Sequence, residues 1–379
     1  MTQKIRFVDT GKSEFFATVR KRVDAYFKEN NISKNANAAM WAKTTFFLGG
    51  LVIIYALIIS NQFSPLVMLG LAVLLGMFAA FIGFNVCHDA IHGSFSANPK
   101  VNKVLSLVFN VIGANAYVWS ITHNVVHHTY TNIPGHDEDI EVAPGLIRLS
   151  PDEKVTWMQQ YQHLYAFLLY GLASLSWVFR KDFKKFYQKR IGQYDNSTHP
   201  KGEVFNLFFF KGVYYVLFLI IPLIVLDITW WQFLIGFVAM HLAEGLVLGL
   251  VFQLAHVVEG TEFPSPDEEG NIEEAWAVVQ MRTTANFARK SWLANFLCGG
   301  LNFQIEHHLF PRICHIHYRP VSEIVKKTAE EFGLPYIESE TFGGAIASHY
   351  KMLRKFGKEA YQESILSRKN AAMVANLNV

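Results

Sequence analysis

Seven of the fifteen histidines in this chain fall into three short clusters: His88 with His92, His123 with His127 and His128, and His307 with His308 just after Gln304. Imidazole suits iron, zinc, copper or nickel. In a helix, residues four apart share a face, so His88 and His92 can grip one ion, as can His123 and His127. An adjacent residue is turned by about 100°, which carries His128 or His308 toward a second ion. A structural zinc site needs only four ligands and recruits cysteine more often. Three clusters supply donors for two metals, with positions left open for oxygen. One such pair alone would read as ordinary surface or core histidines. Three clusters, each at the end of an apolar segment, read as a metal centre.

The elements that must position these clusters are apolar. Hydrophobic residues make up 51% of the chain and charged residues only 17%, less charge than a soluble protein carries. The net charge of +3 gives no argument for nucleic acid. The three cysteines, Cys87, Cys298 and Cys314, are scattered and odd in number, so no disulfide framework is implied. They read as small apolar residues in a reducing compartment. No signal peptide is expected at the polar start. There, Phe15, Val19, Val23 and Phe27 recur every four residues, predicting an amphipathic helix lying on the membrane or on the core.

Between Lys43 and Asp89 no charged side chain occurs. That stretch is about twice the roughly 20 residues one membrane helix needs, and Asn61 to Pro65 supply a turn near its middle. The pattern predicts spans at about 44–60 and 65–87, and a second pair at about 204–226 and 229–256, turning at Leu226 to Thr229. Apolar stretches near 104–119 and 164–179 suit interfacial or partly buried helices. The expected fold is all-α and integral to a membrane: two hairpins, 44–330, under a cytoplasmic helical cap that holds the metals. Residues 1–43 form a cytoplasmic segment, and 331–379 form C-terminal helices and a tail. An even number of crossings precedes every cluster, so all three can meet on the face that carries the N-terminus. Lys and Arg concentrate in 1–43 and 180–190, which makes that face cytoplasmic.

With these residues in place, the chain resembles the membrane fatty-acid desaturase and hydroxylase superfamily, whose pattern is HxxxH, HxxxHH and HxxHH, over about 40–330. The third box opens with Gln304, the QxxHH form of front-end desaturases. The sequence around it, Gly300 to Pro311, is similar to theirs. So are His127 to Asn132 and Gly135 to Asp139. Within that group it resembles the bacterial acyl-CoA desaturases of linoleoyl-CoA or delta-6 type. The resemblance implies two iron ions on His88, His92, His123, His127, His128, His307 and His308, with Gln304 in the place of an eighth ligand. It further implies a histidine from the fourth span, for which His256 stands at the right end.

Asp89, Asp137, Asp139 and Glu306 are placed to accept the outer N–H of these ligands, while Glu138 and Glu141 read as solvated acids. His315 and His317 are read as polar lining near a substrate head group. His241 and Glu244 lie about 18–22 Å along the fourth helix from His256 at its rise per residue. They are too distant to be ligands, and are expected to bond each other.

The implied reaction is O2-dependent insertion of a cis double bond into an acyl-CoA or acyl lipid, between an existing double bond and the carboxyl end. Removing hydrogen from an unactivated methylene needs a strong oxidant, a dry site and a single C–C bond held beside the metals. The basic run 180–190 suits a CoA phosphate or an anionic lipid, and membrane-surface charge also accounts for it. No haem domain is expected, because no histidine precedes His88 and only His349 follows residue 320. Electrons then come from a separate donor, ferredoxin or cytochrome b5 with its reductase. A bacterial inner membrane is the expected location. The rivals are a hydroxylase using the same ligands and, from another class, a metal transporter, which would line its spans with histidines.

Overall fold

A computed structural model describes residues 4–138, 143, 145–150 and 153–377. Helix α1 (Phe15–Glu29) buries Phe15, Val19, Val23 and Phe27, the four residues of its apolar stripe. Each side chain buried this way contributes about 1.5–3 kcal/mol. The stripe lies on the protein core and not on a lipid surface, as its packing partners below show.

Helix α2 (Ala38–Ile59) starts earlier than its charge pattern suggests, because the Asn37 side chain caps it by accepting from the Met40 N–H at 3.0 Å. Helix α3 (Pro65–His92) opens on a proline with φ already helical. It also runs longer than expected. No breaker separates Cys87 from His92, so the helix continues through a π-helical segment, Gly83–Cys87, until Gly93 ends it with a left-handed φ of 73°. The first histidine cluster therefore sits on the last turn of this helix and not beyond it.

Helices α4 (Pro99–Val111) and α5 (Ala116–Tyr130) meet at 109°. Asn110 and Asn115 hold that corner by accepting from the N–H of Ala116 and Val118. Most of α5 is a second π segment, Ser120–His127. Next come α6 (Gln162–Gly171) and α7 (173–187), the latter with a π segment at Trp177–Lys181. Helices α8 (Glu203–Val225) and α9 (Trp230–His256) follow. Helices α2, α3, α8 and α9 are long and apolar enough to cross a membrane. Val52, Ile53, Leu66, Phe205, Ile224 and Trp230 stand exposed on them, as helices in contact with lipid require.

Helices α3 and α9 pack closely enough that a Cβ on Gly76 would overlap the Met240 carbonyl. At the end away from the histidines, the two connecting turns are bonded together. Asn61, at φ 57°, donates its amide to Val225 O at 2.6 Å and accepts from the Asp227 N–H at 3.0 Å.

Among the shorter helices that follow are α10 (Trp276–Thr283), α11 (Gln304–Leu309), α12 (Tyr318–Glu331) and α13 (Phe342–Arg354), and further helices span Trp292–Leu297 and Ala360–Leu377. The α1 stripe packs with Ile305 and Leu309 of α11 and Val321, Val325 and Ala329 of α12. Two parallel pairs of two-residue strands tie the ends of this layer: Arg6–Phe7 to Asn271–Ile272, and Asn286–Phe287 to Glu338–Ser339.

Candidate metal centre

Helices α3, α5, α9 and α11 bring their histidines together at one end of the apolar bundle. Ligand atoms of His88, His92, His123 and His307 all lie within 4.8 Å of one another, as do those of His127, His256 and His308. His128 stands between the two groups. Its Nε2 is 2.9 Å from His307 Nε2 and 3.3 Å from His123 Nε2, and its ring stacks on His308 at 4.4 Å. The Gln304 amide lies 2.9 Å from His256 Nε2 and 3.3 Å from His308 Nε2. Turning that amide over would set its oxygen toward the second group. The site residues read from the boxes, together with His256 and Gln304, thus stand around two adjoining centres.

The two HxxxH pairs behave differently. His88 and His92 face one group, as α-helical spacing predicts. His123 and His127 fall in different groups of ligand atoms, although they share a face of α5. A π segment closes its hydrogen bonds over five residues instead of four, so the fourth and fifth residues along straddle one direction. His123 and His127 therefore lie side by side with rings 5.1 Å apart and nearly parallel, and His128 falls between the centres.

Four of the outer ring nitrogens find partners, only one of them foreseen. His127 Nδ1 donates to the Asp137 carboxylate at 3.0 and 3.1 Å, and the Asn132 N–H holds that carboxylate at 2.8 Å. His308 Nδ1 donates to Gln280 Oε1 at 2.7 Å. Tyr318 OH lies 3.3 Å from His307 Nδ1, and Thr283 O lies 3.4 Å from His256 Nδ1.

Asp89 and Glu306 stand beside ligands in sequence, but their carboxylates go elsewhere. Asp89 accepts from His315 Nδ1 at 2.7 Å and from the Cys314 thiol at 3.0 Å. Glu306 accepts from Asn286 at 2.8 Å and Tyr336 OH at 2.9 Å. Both side chains sit next to a clustered histidine and point away from it, because adjacent helical residues diverge. Asp139 and Glu141 lie outside the described residues. Glu138, read as solvated, is largely buried and paired with Lys185.

His315 is buried between Asp89 and Lys43, whose Nζ is 3.0 Å from its Nε2, so its ring fastens α2 to α3. His317 bonds Asn35 O at 2.9 Å. His241 and Glu244 approach to 3.5 Å, and His241 is also held by Ser174 and Tyr214.

Burial, and then the neighbouring imidazoles, hold His307 and His308 well below the usual histidine range. Both rings are therefore neutral, the form that binds metal. Burial also pushes the Glu306 carboxyl up to about 7, against its bonds from Asn286 and Tyr336. The fit to metal rests on donor atoms with nothing else to hold. A ring nitrogen of His88, His92 Nε2 and Gln304 Oε1 are buried there and meet no hydrogen-bond partner in the protein. Leaving such atoms unsatisfied costs about 1–3 kcal/mol each, and coordination would remove that cost.

Comparison with known proteins agrees with this geometry. The family model for fatty acid desaturase matches residues 63–340. An sn-1 linoleoyl-lipid 6-desaturase of Synechocystis is 38% identical over 363 residues, covering 94% of this chain and 98% of that protein. Its counterpart in Arthrospira platensis is 36% identical over 360 residues, 94% and 96% of the two chains. An acyl-lipid (8-3)-desaturase of Physcomitrium patens is 36% identical over 355 residues, 93% of this chain and 74% of the relative. The four apolar helices and this kinship make the protein a multi-pass membrane protein. The chain belongs to the fatty acid desaturase family.

Proposed function

We propose that this desaturase uses two iron ions and O2 to insert a cis double bond on the carboxyl side of one already present. The observation that carries the reading is the convergence of the clustered histidines into two adjoining groups. His88, His92, His123, His128 and His307 would hold one ion. His127, His256 and His308, with Gln304, would hold the other. When bound, such a centre supplies O2 activation strong enough to remove hydrogen from an unactivated methylene.

The protein's own part is positioning and dryness. Phe84, Ile91, Phe109, Trp119, Leu248 and Phe252 form an apolar pocket against His88. Such a wall excludes water from the site. Support for front-end chemistry comes from relatives named for position 6 of a linoleoyl lipid, whose double bonds begin at carbon 9. The QxxHH box supports it too.

The helices pair as two hairpins, with their bonded turns at one end and a helical cap over the metals at the other. The basic residues of 1–43 and 180–190 support a cytoplasmic cap in a bacterial inner membrane. A separate donor, ferredoxin or cytochrome b5 with its reductase, supplies the electrons.

The test is a fatty-acid profile by gas chromatography–mass spectrometry from a host fed linoleate and supplied with ferredoxin and its reductase, beside a His127→Ala control. A new double bond between carbon 9 and the carboxyl group, absent from the control, is expected. A hydroxylated product would move the assignment to hydroxylase.

A further inference from the structure

The reaction proposed above draws a pair of electrons from a separate donor. His92 is partly exposed, and the other histidines of the two groups are buried. A donor protein therefore needs a residue that reaches from the surface to a ligand. Trp276 does so. It opens α10, is partly exposed, and donates its indole N–H to the backbone carbonyl of His128 at 3.0 Å. We infer that electrons from the donor enter the site through Trp276. The inference rests on the di-iron reading above.

The placement of Trp276 follows from α10. Residues four apart share a helix face, and Gln280, four residues on, is the acceptor for His308 Nδ1. The face of α10 that supports the second group thus runs outward to Trp276. Phe16 of α1 holds the Trp276 ring edge-on at 5.6 Å and itself stacks on Phe310 at 6.0 Å. On the inner side, α5 ends at Tyr130, so the His128 carbonyl lies in the last turn, where carbonyls lack partners within the helix. The indole takes that place. His128 then leads to both groups, with Nε2 2.9 Å from His307 and its ring stacked on His308.

Other rings meet ligands without reaching the surface. Trp119 stacks on His123 at 4.2 Å and Tyr318 OH lies 3.3 Å from His307, but both residues are buried. Trp119 also faces the apolar pocket against His88. In each passage one donor is oxidised by one electron and one ferric ion is reduced to ferrous, with no bond formed or broken. The electron pair, a pair of protons from water and the pair of hydrogens leaving the acyl chain together reduce O2 to water. A cap on the end of α5 would need only the N–H of Trp276, whereas an electron path needs the π system of its ring.

The test separates those two parts of the side chain. Trp276→Gln keeps an N–H for the His128 carbonyl and removes the ring, while Trp276→Phe keeps a ring and removes the N–H. Purified, iron-loaded protein is mixed anaerobically with excess reduced ferredoxin, and the donor's own absorbance is followed by stopped flow. Trp292→Gln, at a residue 73% exposed, is the control. Bound iron and ferredoxin affinity are measured for each variant. We expect Trp276→Gln to oxidise the donor about tenfold more slowly per bound iron at unchanged affinity, with Trp276→Phe keeping most of the rate and Trp292→Gln matching wild type. The reverse order, glutamine fast and phenylalanine slow, makes Trp276 a helix cap and overturns the inference. Equal rates in the two Trp276 variants overturn it as well and move the entry elsewhere, with His92 the exposed alternative. Products formed by the wild type test the desaturase reading separately, since a hydroxylase draws the same electrons.

Discussion

His127 presents Nε2 to its metal group because Asp137 fixes the other side of the ring, and Asp137 is itself fixed by the Asn132 N–H. Replacing Asp137 with Asn keeps the shape but removes the charge and one acceptor oxygen. Iron affinity should fall about 10- to 100-fold, as for other groups that orient metal-bound histidines. Iron content after titration with a chelator measures this, and unchanged retention would show that Asp137 does not orient the ring. Such residues were only partly legible in the chain. Histidines announce themselves by number and spacing. Gln280 and Tyr318 do not, because each lies on a separate helix and meets its histidine only through tertiary packing. Asp89 and Glu306 illustrate the converse: adjacency to a ligand in sequence placed them near the site, and helix geometry turned them away.

Helical periodicity made α1 readable, because a stripe every four residues has one physical solution when it is buried. It misled at α5, where the spacing is that of an α-helix and the winding is π. Hydrogen bonds across five residues leave no mark in the residue types, so the winding of α5 could not be read from the sequence. The winding itself can be tested. Deleting the exposed residue Val125 removes the surplus residue and favours α geometry, which rotates His127 and His128 against His123. Helix content by circular dichroism should hold, while the protein loses at least half of its bound iron. Full iron occupancy in the deletion variant would show that the π segment is incidental. The spans were legible to within a few residues, since apolar length is what a bilayer selects. Their ends shifted where a cap, Asn37, or a continuing helix, at His92, overrode the charge boundary.

At the scale of the whole molecule, α13 is tied to the end of α9 by one buried ring. His349 Nδ1 donates to Val257 O at 2.7 Å, and its Nε2 lies 2.9 Å from Tyr170 OH. Burial pushes its pKa down to about 4 from the ordinary 6.5. Between those values the unfolded chain binds a proton that the folded protein does not. Stability from this group is therefore complete above about pH 6.5 and declines as pH falls toward 4, by on the order of 3 kcal/mol. The apparent unfolding temperature of the wild type should drop more steeply between pH 6.5 and 4.5 than that of His349→Gln. Parallel slopes would sink the assignment. Nothing in the sequence marked His349 for this role; it entered only as the one histidine after residue 320, in the expectation of no haem domain.

The bond between the two turns at Asn61 has a mechanical consequence. One end of the bundle is closed by the chain itself, where Asn61 grips Val225 and Asp227. At the other end, α3, α5, α9 and α11 each contribute donors to the two groups and meet there around neutral rings that offer lone pairs to one another. The chain ties this end as well, for the Asn132 amide donates to His256 O at 2.9 Å and His315 bonds both Asp89 and Lys43. In such a frame, filling the two groups would add a clasp to an end that the fold has already drawn together, so the rings meet their ions in place.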